Sequence, residues 1–190
     1  MGALRARYRG TGGDAARDGK LFHITAAAAG IILPIYSNTA QKFALWNPAN
    51  SGVNAYIQNI TLGYVNATLA ASGIGIGLLL NAGNSVATAA PMSVFTEVSP
   101  TRALSSVSGG NRVRAAPGTI TVTTGLMVLG PILWSQDALP ATAAVNMAAQ
   151  TFRDFNGELM LAPNTAMFLC GTIAQLGNWV PSVTWVEDLI

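Results

Sequence analysis

The sequence predicts an all-β domain, an antiparallel two-sheet jelly-roll sandwich, with a flexible arm before it. Three observations lead to this prediction. From residue 21 onward, apolar residues alternate with polar or small ones, which is the period of half-buried strands. Turn residues divide these stretches into about eight to ten short strands, the spacing of a sandwich or barrel. No long amphipathic helix intervenes, as it would in a parallel α/β fold.

The arm comprises residues 1–20, and the jelly-roll domain comprises residues 21–190. The arm is rich in Gly and Arg and lacks apolar periodicity, as is typical of unordered termini. It carries five basic and two acidic residues, so its net charge is 5 − 2 = +3. The remaining five basic and six acidic residues give the domain a net charge of −1. The isoelectric point near 9.0 therefore comes from the arm.

The clearest strand covers residues 73–80. Its aliphatic residues share one face, namely Ile74, Ile76, Leu78 and Leu80. Three glycines share the other face: Gly73, Gly75 and Gly77. Glycine within a strand permits close approach by a neighbouring group. That neighbour is either another part of the same domain or a second subunit at a symmetry axis, so the three glycines are candidate oligomer contacts.

Two turns are marked by Pro, Asn and Gly. The segment 47–52, Asn-Pro-Ala-Asn-Ser-Gly, separates a strand ending near Trp46 from a long strand beginning near Val53. The segment 162–165, Ala-Pro-Asn-Thr, places Pro and Asn at the centre of a four-residue turn. We expect this second turn to join residues 159–161 and 166–170 as a β-hairpin. The Ala-rich segment 138–150 forms either a short helix or a long loop.

Low charge predicts self-association. Only 9% of the residues are charged, against about 25% in an average soluble protein, and 51% are apolar. A free monomer with such a surface is poorly soluble. We therefore expect copies of the chain to cover one another through one repeated interface, as cyclic homo-oligomers do.

Neither a membrane span nor a signal peptide is expected. The most apolar segment, Ala67–Gly83, has 17 residues and contains three polar ones, whereas a span needs about 20 mostly apolar residues. The arginines near the N-terminus are followed by Asp14 and Asp18 instead of an apolar run. We expect synthesis in the cytoplasm and no membrane partner.

The sequence predicts no catalytic residue, cofactor or metal. One His and one Cys are too few for a zinc site. The run Gly73-Ile-Gly75-Ile-Gly77 lacks the third glycine and the strand-to-helix turn of a dinucleotide-binding motif. We expect His23 to be a hydrogen-bonded structural residue and Cys170 a small buried apolar one. Their spacing alone leaves a Cys–His nucleophile pair open.

The carboxylates outside the arm do not form an evident glycosidase pair. They are Glu97, Asp137, Asp154, Glu158, Glu187 and Asp188. Such an enzyme needs two carboxylates facing each other across a cleft. The sequence predicts a turn at Phe155-Asn156-Gly157, which Asp154 and Glu158 flank, so we expect both carboxylates to be solvated.

The basic arm has two functional interpretations besides a solvated tail. Its arginines Arg5, Arg7, Arg9 and Arg17 could bind nucleic acid or an acidic protein surface electrostatically. Tyr8 is the only aromatic residue of the arm, so stacking on single-stranded bases is unsupported. We expect a protein partner and no nucleic acid.

Three segments together resemble structural proteins of tailed bacteriophages and cyanophages. They are YSNTAQKFALWNPANSG at 36–52, FNGELMLAPNTA at 155–166 and VTWVE at 183–187. In those proteins a Phe-x-Leu-Trp-Asn-Pro strand and turn opens a jelly roll, while a Gly-strand-Pro-strand hairpin and a Trp–Glu strand close it. The resemblance covers about residues 36–190 and implies no catalytic residues.

Within this group the chain is most similar to capsid decoration (cement) proteins. The resemblance implies a non-enzymatic homotrimer on the virion surface, made in the host cytoplasm, that clamps the major capsid protein. The arm lies outside the resemblance, so a capsid contact through its four arginines is inferred from charge. The alternative is a phage fibre or tail-tip domain that binds host-surface glycan. Trp134 and Trp179 are the aromatic candidates for it, although core positions are favoured for both.

Overall fold

A computed structural model describes Ala15 and residues 18–37, 40–66, 74–81, 101–102, 111–121, 127–136, 150–172 and 177–190. These residues form eleven strands: β1 Leu21–Thr25, β2 Ile31–Ile32, β3 Ala40–Asn47, β4 Val53–Asn66, β5 Ile74–Asn81, β6 Thr101–Arg102, β7 Arg114–Thr121, β8 Met127–Gln136, β9 Gln150–Leu161, β10 Thr165–Gly171 and β11 Asn178–Leu189. All pairings between these strands are antiparallel. The predicted all-β class with two antiparallel sheets is confirmed.

The strands form two sheets with interleaved connectivity. Sheet A has the order β6-β1-β11-β4-β9, with β2 also paired to β11, and sheet B has the order β7-β3-β10-β5-β8. Four pairs are nested within one another along the chain: β1 with β11, β3 with β10, β4 with β9 and β5 with β8. Successive pairs alternate between the sheets. This connectivity is compatible with the predicted jelly roll.

The turn at 162–165 is present, but the predicted hairpin is wrong. The amide of Thr165 donates to the carbonyl of Ala162 at 3.2 Å, and Asn164 has a φ of 71°. The flanking strands do not pair, because β9 lies in sheet A and β10 lies in sheet B. Asn47 holds this connection at the corner. Its carbonyl accepts from the Asn164 amide at 2.8 Å, and its side chain donates to the carbonyl of Leu161 at 2.8 Å.

The predicted turn at 47–52 is a second crossing between the sheets. It joins β3 of sheet B to β4 of sheet A. The Asn47 side chain also donates to the carbonyl of Val53 at 2.8 Å, and Gly52 takes a φ of 67°. One fully buried asparagine therefore ties together both connections at this end of the sandwich.

The core lies between the sheets and follows the predicted alternation. Ile76 and Leu78 of β5 are fully buried against residues of sheet A. Trp185 stacks on Phe22 with ring centroids 5.9 Å apart, and Trp179 meets the edge of Tyr64 at 5.2 Å. Two tryptophans of β11, one near its beginning and one in its second half, thus fill the layer between the sheets.

The centre of sheet B is buried on both faces. Met167 and Leu169 of β10 point into the core, and Ala166, Phe168 and Cys170 alternate with them. All five side chains are nevertheless buried. β10 thus departs from the alternation of the other strands, because its uninterrupted apolar run is the pattern of a strand covered on both sides.

The end of the predicted arm belongs to the folded domain. Ala15 is fully buried and packs with Leu21 and Val186 on the outer face of sheet A. The amide of Lys20 donates to the carbonyl of Ala15 at 2.8 Å, and the amide of Glu187 donates to the carbonyl of Lys20 at 3.0 Å. Packing thus begins before residue 20, where the sequence placed the boundary.

Candidate functional site

Most of the residues predicted to contact partners lie outside the described part of the chain. These are Arg5, Arg7, Arg9, Arg17 and Gly73. The structure does fix the point from which the arm departs. Ala15 packs on Val186 at the outer face of sheet A, beside the beginning of β1, and the residues before it are attached to the domain at this point.

Gly77 has its close neighbour within the same chain. A Cβ atom at Gly77 would lie 3.1 Å from Cδ1 of Ile132 and 3.5 Å from Cδ1 of Leu129, both in β8. Gly75 is paired with Ser135 of the same strand. The intrachain interpretation therefore accounts for the missing side chain at Gly77. The exposed side chains next to Gly77 are those of Leu129 and Ile132 in β8.

Four apolar residues of β8 are exposed along the sheet edge, and we call them the β8 flank: Val128, Leu129, Pro131 and Ile132. Leu129 and Ile132 lie beside Gly77 on the outer face of sheet B, whereas Val128 is opposite the core-side Leu80. Val128, Leu129 and Ile132 are 56%, 41% and 46% exposed. β8 is the last strand of sheet B and contains no charged residue in its ten positions. A long, uncharged, aliphatic edge strand favours association with another chain.

The β8 flank is suited to side-chain packing more than to an added strand. Pro131 has no backbone N–H to donate, and the pairing of β8 with β5 shifts register on both sides of Gly77. Irregularities of this kind interrupt a continuous ladder along a sheet edge. We therefore expect a partner to cover the side chains of the flank.

Glu187 is a buried carboxylate that holds a loop to the end of sheet A. It follows Val183 and Trp185 at alternate positions, so it lies on the inner face of β11. One carboxylate oxygen accepts from the Val113 amide at 3.0 Å and from Trp185 Nε1 at 3.2 Å. The other accepts from the Arg112 amide at 2.8 Å. A buried charge needs such donors, and here they fix the start of β7.

His23 and Cys170 both have structural roles and do not form a nucleophile pair. The two ring nitrogens of His23 contact the hydroxyls of Thr184 at 3.1 Å and Thr25 at 2.7 Å, and burial lowers its pKa. Cys170 lies in sheet B and donates to the carbonyl of Gly77 at 3.5 Å. Burial raises the pKa of its thiol to about 12, so it does not supply a thiolate at neutral pH.

The carboxylates of β9 lie in solvent, as predicted. Asp154 and Glu158 are exposed on either side of Asn156 and Gly157, whose φ values are 47° and 76°. The predicted turn at 155–157 is wrong, because these residues form a bulge within β9, where its pairing with β4 shifts register. The Asn156 amide donates to Oδ1 of Asp154 at 3.0 Å. Glu97 and Asp137 lie outside the described residues.

Neither tryptophan considered for glycan binding is available as a described surface group. Trp179 is fully buried, and the side chain of Trp134 lies outside the described part of the structure. Among the described residues, no three His, Cys, Asp or Glu side chains are grouped to hold a metal ion. The same residues contain no helix with the length and apolar character of a membrane span.

The outer face of sheet A carries two rows of side chains that sequence reasoning did not find. The first row crosses four strands: Phe152, Thr61, Ser182 and Thr25. The second row lies beside it: Asp154, Asn59, Thr184 and His23. We call these eight residues the polar face. The alternation of Asn59 and Thr61 with core residues signalled an outward polar side of β4, but only the strand register assembles the rows.

Comparisons of the chain with known protein families, with curated proteins and with solved structures found no match.

Proposed function

We propose that the protein is a non-enzymatic virion structural protein: a trimeric capsid decoration protein that clamps major capsid subunits of a tailed phage. The sequence resemblance supports the virion part of the proposal. The observation that carries the assembly part is the β8 flank, an uncharged edge strand with three aliphatic side chains between 41% and 56% exposed. Such a surface is stabilised when another subunit covers it.

The size of the β8 flank fits the centre of an interface. Four exposed residues make up only part of a standard interface, which buries about 800 Å² on each partner. In a ring of three, each subunit presents two different surfaces, so the flank of one subunit meets another surface of the next. Apolar side chains at the centre with polar groups around them are the usual anatomy of such contacts.

The described chemical groups support a structural role over catalysis. Glu187 is held by three donors of its own chain, and His23 is held by two threonine hydroxyls. The thiol of Cys170 is buried and has a raised pKa. These groups stabilise the two sheets and are not arranged around a shared cleft.

The arm supplies the proposed contact with the major capsid protein. The residues before Ala15 include Arg5, Arg7 and Arg9, with Asp14 as the acidic residue. Fourteen residues in extended conformation reach at most roughly 45–50 Å, far enough to leave the domain and lie on a neighbouring subunit of a shell. Three such arms in a trimer would strengthen a weak contact by avidity.

Size-exclusion chromatography with light scattering tests the assembly. We expect a trimer for the full chain and a monomer when Leu129→Glu and Ile132→Glu are combined, because burying two carboxylates at the interface is strongly unfavourable. Met160→Glu is the matched control, since Met160 is 44% exposed but lies in sheet A. A monomeric full chain, or a double variant that remains trimeric, would contradict the proposed interface.

Co-sedimentation with phage capsids tests the location. Deleting residues 1–14, which leaves Ala15 in place, should preserve the trimer and abolish salt-dependent capsid binding. Unchanged binding by the truncated protein would show that the arm is not the contact. Immunogold labelling of phage particles separates the head location from the fibre or tail tip of the alternative function.

A further inference from the structure

The polar face is open to solvent and almost free of charge. Seven of its eight residues are at least partly exposed, and Ser182 retains 8% exposure. Its eight residues include no Lys or Arg, and their only acidic residue is Asp154. The outer side of β10 in sheet B is different, since its side chains are completely buried. The two outer faces of the sandwich therefore offer different surfaces to a partner.

Hydrogen bonds within the polar face hold its hydroxyl groups in place. Thr61 Oγ1 and Ser182 Oγ lie 2.6 Å apart on neighbouring strands. His23 holds the hydroxyls of Thr184 and Thr25 from either side of its ring. Threonine is also stiff at χ1 because it is β-branched. A ligand that bonds to these hydroxyls would thus lose little of its binding energy to side-chain ordering.

An exposed aromatic ring lies at one end of the first row. Phe152 is 60% exposed and stands opposite Thr61 in the register of β9 with β4. Gly63 is its diagonal neighbour on β4, two residues beyond Thr61. A Cβ atom at Gly63 would make only ordinary contacts, with the Val180 carbonyl oxygen at 3.7 Å and Val180 Cβ at 4.0 Å. Gly63 therefore places no side chain beside the ring.

The composition of the polar face selects among ligand classes. Nucleic acids and other phosphate ligands are bound chiefly through Lys and Arg, which these rows lack. The centre of a protein interface is usually apolar, whereas here polar side chains make up most of both rows. A neutral sugar fits better. Its C–H side packs on an aromatic ring, and its hydroxyls bond to amides, hydroxyls and a carboxylate.

We propose that the polar face binds a neutral polysaccharide, with Phe152 as the stacking platform and Asp154, Asn59 and Thr61 as hydrogen-bonding partners. Asp154 already accepts the Asn156 amide, and an ionised carboxylate has further acceptor positions for a sugar hydroxyl. The Asp154 row lies next to the row of Leu21 and Val186, two residues or about 7 Å along the strands, whereas Phe152 is farther from the arm. The row of Leu21 and Val186, where Ala15 packs, is four residues from the Phe152 row, about 13 Å at 3.3 Å per residue.

Affinity electrophoresis tests the proposal with four probes: a neutral glucan, galactan, mannan and rhamnan cast separately into native gels. We expect at least one to retard the full chain, and Phe152→Ala to lower the association constant at least tenfold. Asp154→Asn should weaken binding less, because an amide still bonds to hydroxyls. Met160→Ala is the matched control, since Met160 is exposed on the same strand and the same face but two rows away.

The changed side chains are exposed, so the variants should keep the wild-type far-ultraviolet circular dichroism spectrum. No retardation by any of the four polysaccharides overturns the proposal, as does undiminished binding by Phe152→Ala. Loss of capsid binding in Phe152→Ala without any retardation would also overturn it and would assign the polar face to a protein partner. The β8 variants separate this result from the proposed assembly, because a monomer with an intact sheet A should still bind the polysaccharide.

Discussion

Replacing Glu187 should release residues 112–113 from the end of sheet A and destabilise the whole domain. In Glu187→Ala, three donors lose their acceptor: the amides of Arg112 and Val113 and Nε1 of Trp185. An unsatisfied buried donor costs about 1–3 kcal/mol, and water can reach the partly buried Arg112 amide. We therefore expect a loss of about 3–5 kcal/mol in the free energy of unfolding.

Glu187→Gln should destabilise the domain less than Glu187→Ala, because it keeps one of the two oxygens that accept these hydrogen bonds. Its remaining oxygen can accept from Val113 and Trp185, but its NH₂ group then faces the Arg112 amide, where two donors meet. One charge-assisted bond is lost, which corresponds to about 2 kcal/mol. The expected order of stability is wild type, then Gln, then Ala.

Urea unfolding followed by far-ultraviolet circular dichroism measures this order. All proteins must be compared at one protomer concentration, because the proposed self-association would make the midpoint depend on concentration. Asp188→Asn is the control, since the neighbouring half-buried residue should change stability by no more than about 0.5 kcal/mol. A Gln variant as stable as wild type, or Gln and Ala variants of equal stability, would refute this account of Glu187.

Three further predictions concern single residues. Burial lowers the pKa of His23 below its usual 6.5, so near and below pH 6.5 the unfolded chain binds more protons than the folded one. The free energy of unfolding should therefore fall as pH drops below 6.5. Urea unfolding curves measured across this range should show a smaller fall for His23→Gln than for the wild type. Cys170 should not react with Ellman's reagent until urea unfolds the protein, and reaction of the native protein at the rate of a free thiol would contradict its burial. Gly77→Ala should lower the free energy of unfolding by less than about 1 kcal/mol, since the exposed end of Ile132 can move away from the new methyl group. Gly30→Ala should lower it by at least about 2 kcal/mol, because its φ is 73° and the new Cβ would lie within 3.2 Å of the Trp179 backbone. Equal decreases in melting temperature for the two variants would contradict this distinction.

The period of the strands was predictable because it is a local property. The core side of β5 follows from alternate aliphatic residues, and the turns at 47–52 and 162–165 follow from Pro, Asn and Gly. The pairing of strands across a turn is not local. Asn47 lies more than one hundred residues before the second turn, yet it holds that turn between the sheets. Residues 162–165 alone do not distinguish this connection from a hairpin.

Glu187 shows a signal that was present in the sequence but incomplete. Its spacing from Val183 and Trp185 is even, so strand alternation alone places it on the core side of β11. Its two backbone donors are 74 and 75 residues away in the chain, and their position depends on the fold. Sequence reasoning could therefore have found a buried carboxylate but not what satisfies it.

The β8 flank and the polar face were harder to predict from the sequence than the buried position of Glu187, because both depend on which strands pair and in what register. The sequence drew attention to Gly77, but the group above it is Ile132, which is 46% exposed. The β8 flank was visible only as an apolar stretch until the sheet order placed it at an edge. In the same way, Phe152 and Thr61 are 91 positions apart in the chain and become neighbours through the pairing of β9 with β4.

The position of β11 in sheet A has a consequence for biosynthesis. This strand comes last among the eleven described, yet it lies between β1 and β4 and pairs with both. Until the ribosome has made β11, β1 and β4 cannot form their pairings with it. Pairings between residues so distant in the chain slow folding. Removing Asn178–Leu189 would therefore open the middle of sheet A, and a nascent chain should complete this sheet only after these residues have been translated.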